Sequence, residues 1–362
     1  MAFRLLHFAD LHLDHSFAGE RLSGVGAQRR RDDLRTALTR ILELADRQDC
    51  DLITCGGDLF DHEHLTRDTT LFIGDTLGAA GRPVMIAPGH SDPAVPSSPY
   101  RYLRWPANVT IATHEELRPY AFDNVAIWSG AMHRSDPSRA PLRDFPRIEG
   151  GINLLVLHAS DMTALPPGAT PYAPIVSGQV QECGFGHALL GHYHDARQGP
   201  WITYPGSPEP LAFAEPGPHC VALVAIQDDG LIDVTLQPIN QRRFVEERLD
   251  VTGLTSREQV REAMLALRAS NGLDGAVVRT VLTGERARSV DLDPQALAVE
   301  CGDGFAYLEF RDDTQTAHDL EEVAQEFTSR GEFVRKLAEQ DGQESAGAAS
   351  RAIQLTLDAF DA

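Results

Sequence analysis

The chain has 362 residues, of which 42% are hydrophobic and 23% charged, the proportions of an ordinary soluble globular protein. Its net charge of −21 argues against a nucleic-acid-binding protein that depends on bulk positive charge, but not against one that receives DNA through metal ions and a basic partner. No apolar run has membrane-spanning length and the N-terminus lacks a signal-peptide pattern, so we expect a cytoplasmic protein that contacts no membrane.

The first hundred residues alternate between two kinds of hydrophobic pattern. Short apolar runs at 3–8, 52–55 and 83–87 predict strands, and apolar residues at helical spacing predict helices at about 26–48 and 67–79. Strands that alternate with helices indicate a parallel sheet, so this part of the chain is predicted to form a βαβαβ unit.

The middle of the chain is richer in predicted strands. A segment rich in proline and glycine, 161–186, is predicted to be a long loop. The last three predicted strands are expected to be antiparallel, because an Asp-Asp-Gly turn joins the final two. The predicted strands are 124–129, 152–157, 188–190, 201–204, 220–226 and 231–237.

The pattern changes after about residue 243. Two short apolar runs and a helix at about 255–270 predict a small α+β domain. A helical tail follows, with apolar residues at helical spacing. We therefore divide the chain into domains at 1–242, 243–312 and 313–362. The apolar positions of the tail are Leu320, Val323, Ala324, Phe327, Ile353, Leu357 and Phe360.

The five cysteines are scattered, odd in number and without a Cys-x-x-Cys pair. Disulfide and zinc-finger interpretations are therefore poor, and we expect reduced, buried thiols.

Each of five predicted strands ends in, or is followed by, residues of types that can bind metals. Because the carboxyl ends of parallel strands meet at one sheet edge, these residues are expected to converge. Carboxylates together with imidazoles suit Mn, Fe or Zn better than calcium. A two-metal centre, in which a carboxylate bridges ions about 3.5–4 Å apart and the pKa of a bound water falls, fits this set. Its members are Asp10, His12, Asp58, Asp61, His90, Ser91, Asp92, His158, His192 and His194.

The order of these motifs resembles the calcineurin-like metallophosphoesterases, and within them the SbcD-type nuclease subunit of double-strand-break repair complexes, especially its YhaO-like branch. The likeness lies in the stretches Ala9-Asp-Leu-His-Leu-Asp14, Gly57-Asp-Leu-Phe-Asp61, Leu190-Gly-His-Tyr-His194 and Tyr204-Pro-Gly-Ser-Pro-Glu-Pro-Leu211. It covers roughly residues 1–240.

The resemblance implies a role for each matching position. Asp10, His12 and His194 would hold the first metal, Asp58 would bridge, and His158 and His192 would hold the second metal together with residue 90. Asp61 would orient a ligand in the catalytic cluster. His62 and His64, in the polar loop beside the motifs, are candidates for contacting substrate.

One motif departs from the family pattern. Where the family has Gly-Asn-His-Asp, this chain has Gly89-His90-Ser91-Asp92. His90 can replace the asparagine as a ligand through a ring nitrogen, with altered geometry. Position 91 is the catalytic histidine of the family, and a serine cannot act as a general acid near neutral pH. We therefore expect a metal site whose nuclease activity is weakened or altered.

The resemblance predicts an α/β fold: a four-layer metallophosphoesterase sandwich with a small α+β capping domain and a helical tail that docks on a partner. The expected function is a DNA exo/endonuclease subunit with two divalent ions, manganese being the expected metal. Its expected partners are DNA, an SMC-like ABC ATPase with a coiled coil, and a second copy of the chain. Two alternatives remain: a non-cleaving metal-binding scaffold that recruits the ATPase to DNA, and a phosphodiesterase or phosphatase for small substrates.

Overall fold

The strands predicted in the first hundred residues lie side by side in one sheet. The computed structural model describes residues 2–22, 24–131, 138–166, 168–288, 290–318, 320–340, 356–357 and 359. The sheet consists, in spatial order, of Ile232–Pro238 (β12), Cys220–Ile226 (β11), Phe3–Phe8 (β1), Leu52–Cys55 (β2), Val84–Ile86 (β3) and Val109–Ile111 (β4). Strands β1 to β4 run parallel, whereas β11 and β12 are antiparallel to their neighbours, so the predicted parallel unit is confirmed and extended by β4.

A second six-stranded sheet holds the middle of the chain. Its central strands are parallel and its two outer strands are antiparallel to them. The strand near 201–204 was expected to be antiparallel. It is antiparallel to the short strand Arg197–Gln198 but parallel to its longer neighbour His187–Gly191, because the short strand first reverses the direction of the chain. In spatial order the strands are Arg118–Phe122 (β5), Val125–Ser129 (β6), Ile152–His158 (β7), His187–Gly191 (β8), Ile202–Tyr204 (β10) and Arg197–Gln198 (β9).

The two sheets pack face to face around a shared apolar core. Leu5 and Met85 of the first sheet and Leu154 and Leu189 of the second are completely buried there. Helices α1 (Gly24–Arg47) and α2 (Arg67–Gly78) contact each other, and α1 also contacts β1. A short helix, α3, spans Pro99–Tyr102. The predicted mixed α/β sandwich with flanking helices is confirmed.

The segment 161–186, predicted to be a loop, contains a helix, α4, at Ser177–Glu182. Its side chain Val180 is completely buried in the core on the outer face of the second sheet. The side chain of Gln179 accepts a hydrogen bond from the backbone of Val176 at 3.0 Å and so completes the first turn. One buried residue and one local hydrogen bond leave little periodic signal in the sequence.

The chain divides into two compact units, Met1–Arg243 and Phe244–Ala362. The second unit contains a parallel sheet and helices around its own core. Val323, Val334 and Leu357 form a small separate cluster, whereas Phe327 is exposed and Ile353 and Phe360 lie outside the described residues. The elements are Phe244–Asp250 (β13), Arg257–Asn271 (α5), Val277–Thr283 (β14), Glu285–Arg286 (β15), Pro294–Cys301 (α6), Tyr307–Asp312 (β16), Gln315–Thr316 (β17), Leu320–Gln325 (α7) and Ser329–Gln340 (α8).

All five cysteines are buried and free, as expected from their spacing. Within the described residues, no helix combines the length and the apolar character needed to cross a bilayer.

A buried ionic network fixes the chain that leaves the second sheet. Arg30 on α1, 1% exposed, donates to Asp33, to the carbonyl of Pro210 at 2.9 Å and to Glu209 at 3.4 Å. Glu209 also accepts a hydrogen bond from the backbone of Gln241 at 2.6 Å. Charges buried this deeply need partners, so α1 and the segment around Glu209 depend on each other.

We expect Arg30→Ala to lower the free energy of unfolding of the N-terminal unit by about 3 kcal/mol, because it removes a charge partner from buried Glu209. Arg47→Ala, on the exposed side of the same helix, should change it by less than about 0.5 kcal/mol. All three tryptophans of the chain lie in this unit, so their fluorescence during urea unfolding reports it. Equal destabilisation by both substitutions would contradict the proposed dependence.

Candidate metal centre

The loops that follow β1 and β2 run side by side at one edge of the first sheet. The backbone N–H of Asp10 donates to the carbonyl of Gly57 at 3.0 Å, and that of His12 donates to the carbonyl of Asp58 at 2.9 Å. Each loop therefore holds the other in register, and their polar side chains lie in one cluster.

Four of the candidate side chains stand on left-handed backbone. The φ angles are 55° at Asp10, 51° at His12, 53° at Asp58 and 115° at His192. Such conformations are uncommon for residues other than glycine and persist where the surrounding structure enforces them. Because four such conformations occur among the candidate ligands, we infer that the backbone conformation here is set by the positions that these side chains must occupy, at some cost in local stability.

Two sets of ligand atoms lie next to each other. The first ligand set is Asp10, His12 and His194, and the second ligand set is His90, His158 and His192. Within each set the ligand atoms lie within 4.8 Å of one another. The end of β7 and the loops after β1, β2, β3 and β8 thus bring together all seven residues that were predicted to hold metal, including Asp58.

Asp58 lies between the two sets. One of its oxygens, Oδ2, is 3.5 Å from Nε2 of His12 in the first set. The same oxygen is 3.0 Å from Nδ1 of His90 and 3.6 Å from Nε2 of His158 in the second set. A carboxylate in this place can contact a cation in either set.

The outer nitrogens of three histidines are held by acceptors. Asp61 lies 2.6 Å from Nδ1 of His12, and the carbonyl of Gly56 lies 3.0 Å from Nδ1 of His158. Glu215 lies 2.6 Å from Nδ1 of His194. With Nδ1 of each ring held in this way, Nε2 is the atom through which each ring would bind a metal.

The sequence interpretation missed Glu215. Glu215 comes 21 residues after His194 in an irregular segment, so no local spacing links the two. His15 contacts Asp61 at 2.7 Å, and Asp61 therefore holds two imidazoles instead of one.

Gly89 and Asp92 hold the loop that follows β3 in contact with Asp58. A side chain at Gly89 would collide with the carboxylate of Asp58. Asp92 is completely buried and accepts hydrogen bonds from the backbones of Asp58 at 3.0 Å and Leu59 at 2.8 Å. The hydroxyl of Tyr100 also donates to Asp92, at 2.7 Å. Asp92 thus fixes the distance between the two loops.

The divergent residues His90 and Ser91 both contact Asp58. Ser91 donates its backbone N–H at 2.8 Å and its hydroxyl at 3.0 Å to the Asp58 carboxylate. The side chain of His90 is 43% exposed, and its Nδ1 lies 2.8 Å from Nε2 of His158. Ser91 therefore holds the central carboxylate, a contact that the sequence did not reveal.

Burial and charge act in opposite directions on the two central carboxylates. Burial raises the pKa of Asp10 to about 7. Burial acts in the same direction on Asp58, but the imidazoles of His158, His12 and His90 hold its pKa below the usual range. Two buried carboxylates this close repel each other when both are charged, and a bound cation would relieve that repulsion.

The pKa values of the histidines shift in different directions, according to the groups around each ring. Burial lowers the pKa of His192 to about 4 and that of His158 well below its usual value, so both rings are neutral at physiological pH. Burial would also lower the pKa of His12, but the hydrogen bond that His12 donates to Asp61 and the charge of Asp58 raise it to about 9.

The residues fit a pair of divalent cations. Nε2 of His12 and Nδ1 of His192 are buried and have no hydrogen-bond partner among the described residues. Unpaired polar atoms in a buried site are costly unless a ligand contacts them. Metal binding requires neutral imidazoles: His158 and His192 are already neutral, whereas His12 would release a proton when a cation binds.

A cleft of about 260 Å³ opens beside the centre. His62 and His64, the predicted substrate-contacting residues, line it together with His12, His90 and Ser91. The backbone N–H of His62 donates to the carbonyl of Ser91 at 2.9 Å, which joins this wall of the cleft to the loop after β3.

Comparison with known proteins identifies the N-terminal region. Residues 3–163 match the family model of the calcineurin-like phosphoesterases. The matched region contains Asp10, His12, Asp58, His90 and His158 and ends before His192 and His194.

The curated relatives are distant. The uncharacterized metallophosphoesterase YhaO of Bacillus subtilis is 24% identical over 261 residues, which is 68% of this chain and 63% of that protein, less than two thirds of its length. The DNA double-strand break repair protein Mre11 of Methanopyrus kandleri is 23% identical, with 90% of this chain and 76% of that protein aligned. Mre11 of Haloferax volcanii is 25% identical, with 88% and 69% aligned.

The family match covers the loops that carry five of the seven candidate ligands, and the aligned part of each Mre11 relative includes most of the chain. Residues 3–163 are therefore similar to the calcineurin-like phosphoesterases, and YhaO and Mre11 are among the proteins that the chain resembles.

Proposed function

We propose that the protein is a manganese-dependent DNA exo/endonuclease subunit that hydrolyses phosphodiester bonds with two metal ions. The observation that carries the proposal is the position of Asp58, whose Oδ2 lies 3.0–3.6 Å from imidazoles of both ligand sets. Asp10, His12 and His194 would hold one ion, and His90, His158 and His192 the other. When bound, the ions would make a water nucleophilic at neutral pH and neutralise charge on the phosphoryl oxygens.

The side chains of the protein prepare the site before substrate arrives. Asp61, Glu215 and the carbonyl of Gly56 orient three imidazoles, and Ser91 orients the carboxylate of Asp58. A rigid set of ligands lowers the reorganisation that the reaction would otherwise require. His62 and His64 line the cleft, and we propose that they contact the substrate.

The names of two relatives support DNA as the substrate. Two relatives aligned over most of this chain are named DNA double-strand break repair proteins. The net charge of −21 favours delivery of DNA by a partner, for which we propose an SMC-like ABC ATPase that docks on the tail at 313–362. We further propose that 243–312 caps the nuclease domain and that the chain forms a homodimer.

A non-cleaving scaffold is the strongest rival, and Ser91 favours it. The hydroxyl of Ser91 donates to Asp58, and serine has no proton to give a leaving group near neutral pH. Manganese binding without turnover of any DNA would support the scaffold. Turnover of phosphomonoesters or cyclic dinucleotides, but not of DNA, would support a small-substrate phosphodiesterase or phosphatase.

Replacing Ser91 tests the proposed loss of general acid catalysis. Ser91→His should raise manganese-dependent cleavage of linear DNA by about 10²-fold, the lower end of the usual contribution of an acid or base. Ser91→Ala, the control, removes only the hydroxyl contact with Asp58 and should not raise the rate. A wild-type rate equal to that of Ser91→His would sink the idea that position 91 limits activity.

Replacing Glu215 tests the orientation of His194. Glu215→Ala should weaken manganese binding about 10- to 100-fold in calorimetric titration, because the ring of His194 loses its outer partner. Glu116→Ala, at a carboxylate whose side chain is 74% exposed, is the control and should bind as wild type does. Unchanged affinity in the folded Glu215 variant would show that this contact does not support metal binding.

A further inference from the structure

A second cavity lies next to the metal cleft and shares a wall with it. Its volume is about 610 Å³, within the usual range for small-molecule sites. His62 lines both cavities, and its Nε2 lies 3.2 Å from the hydroxyl of Ser97 in the second cavity. His62 is therefore common to the two neighbouring cavities.

The lining of the second cavity is mostly apolar and accessible. Leu71 on α2 is 55% exposed, and Tyr102 at the end of α3 is 62% exposed. Leu65 and Leu103 complete the apolar surface, and Arg67 adds a positive charge. An aromatic ring beside aliphatic side chains and a cation suits a flat, aromatic ligand joined to a phosphate.

One unpaired polar atom, in the ring of His62, supports a ligand of this kind. Nδ1 of His62 is buried and has no hydrogen-bond partner among the described residues, although Nε2 contacts Ser97. The backbone of His62 is tied to Ser91 at 2.9 Å, so the ring is attached to the wall that faces the metal centre. A nucleotide whose phosphate lies at the metal centre would pass this ring.

We propose that this cavity binds the nucleobase of the nucleotide that carries the reacting phosphate, by stacking on Tyr102 against Leu71 and Leu103. The inference rests on the proposed function, since it takes the metal centre as the phosphate site. The proposed occupant of the cavity is a nucleoside, and not a protein segment or a lipid. The base contributes affinity here with little dependence on its sequence, because every base has an aromatic face that can stack.

Two ligands that differ only in the base isolate this contribution. Manganese-loaded protein is titrated calorimetrically with deoxyadenosine 5′-monophosphate and with deoxyribose 5-phosphate. Wild type should bind the nucleotide about tenfold more tightly, the usual effect of one stacked base. Tyr102→Ala should abolish this preference without changing the affinity for deoxyribose 5-phosphate, and Tyr102→Phe should keep it.

Leu71 offers a matched control pair. Leu71→Ala should weaken the nucleotide's binding, whereas Leu231→Ala, at a leucine that is 65% exposed elsewhere, should not. Equal wild-type affinity for both ligands, absence of binding, or equal weakening of both by Tyr102→Ala would overturn the base pocket. A protein that keeps the preference but cuts no DNA would instead contradict the proposed nuclease and leave the pocket in place.

Discussion

Two completely buried carboxylates, Asp10 and Asp58, impose the main constraint on this structure. Both lie among imidazoles where sheet edges meet, and burial raises the pKa of Asp10 to about 7. A site of this kind is unfavourable without cations, because desolvated charges of like sign repel. The left-handed backbone at four of the candidate ligands shows how far the chain departs from relaxed geometry to form it.

The surrounding fold serves to hold these groups. Parallel strands of both sheets deliver the ligands to the place where the two sheets' strand ends meet. Glycines at 57, 89 and 191 let the backbone segments approach without side chains between them. Asp92 fixes the loop after β3 against the loop after β2 by backbone hydrogen bonds. The buried Arg30 and Glu209 pair holds the segment that follows His194 and contains Glu215 against α1.

The sequence predicts best what strand ends determine. Asp10, Asp58, His158 and His192 follow apolar runs directly, and parallel strands must bring such positions together. Glu215 could not be predicted, because only the folded chain brings it to His194. The contact of Ser91 with Asp58 was equally hidden, since the sequence shows a missing histidine but not what the hydroxyl touches. Helix α4 was missed because it buries a single side chain, Val180.

The proposed two-metal centre depends on Asp58 joining two metal ions. Crystals of the wild-type protein soaked in manganese, measured at the manganese absorption edge, test this directly through the anomalous signal. Two manganese peaks are expected, both in contact with Asp58, one beside Asp10, His12 and His194 and the other beside His90, His158 and His192. A single peak, or two peaks of which only one contacts Asp58, would contradict it.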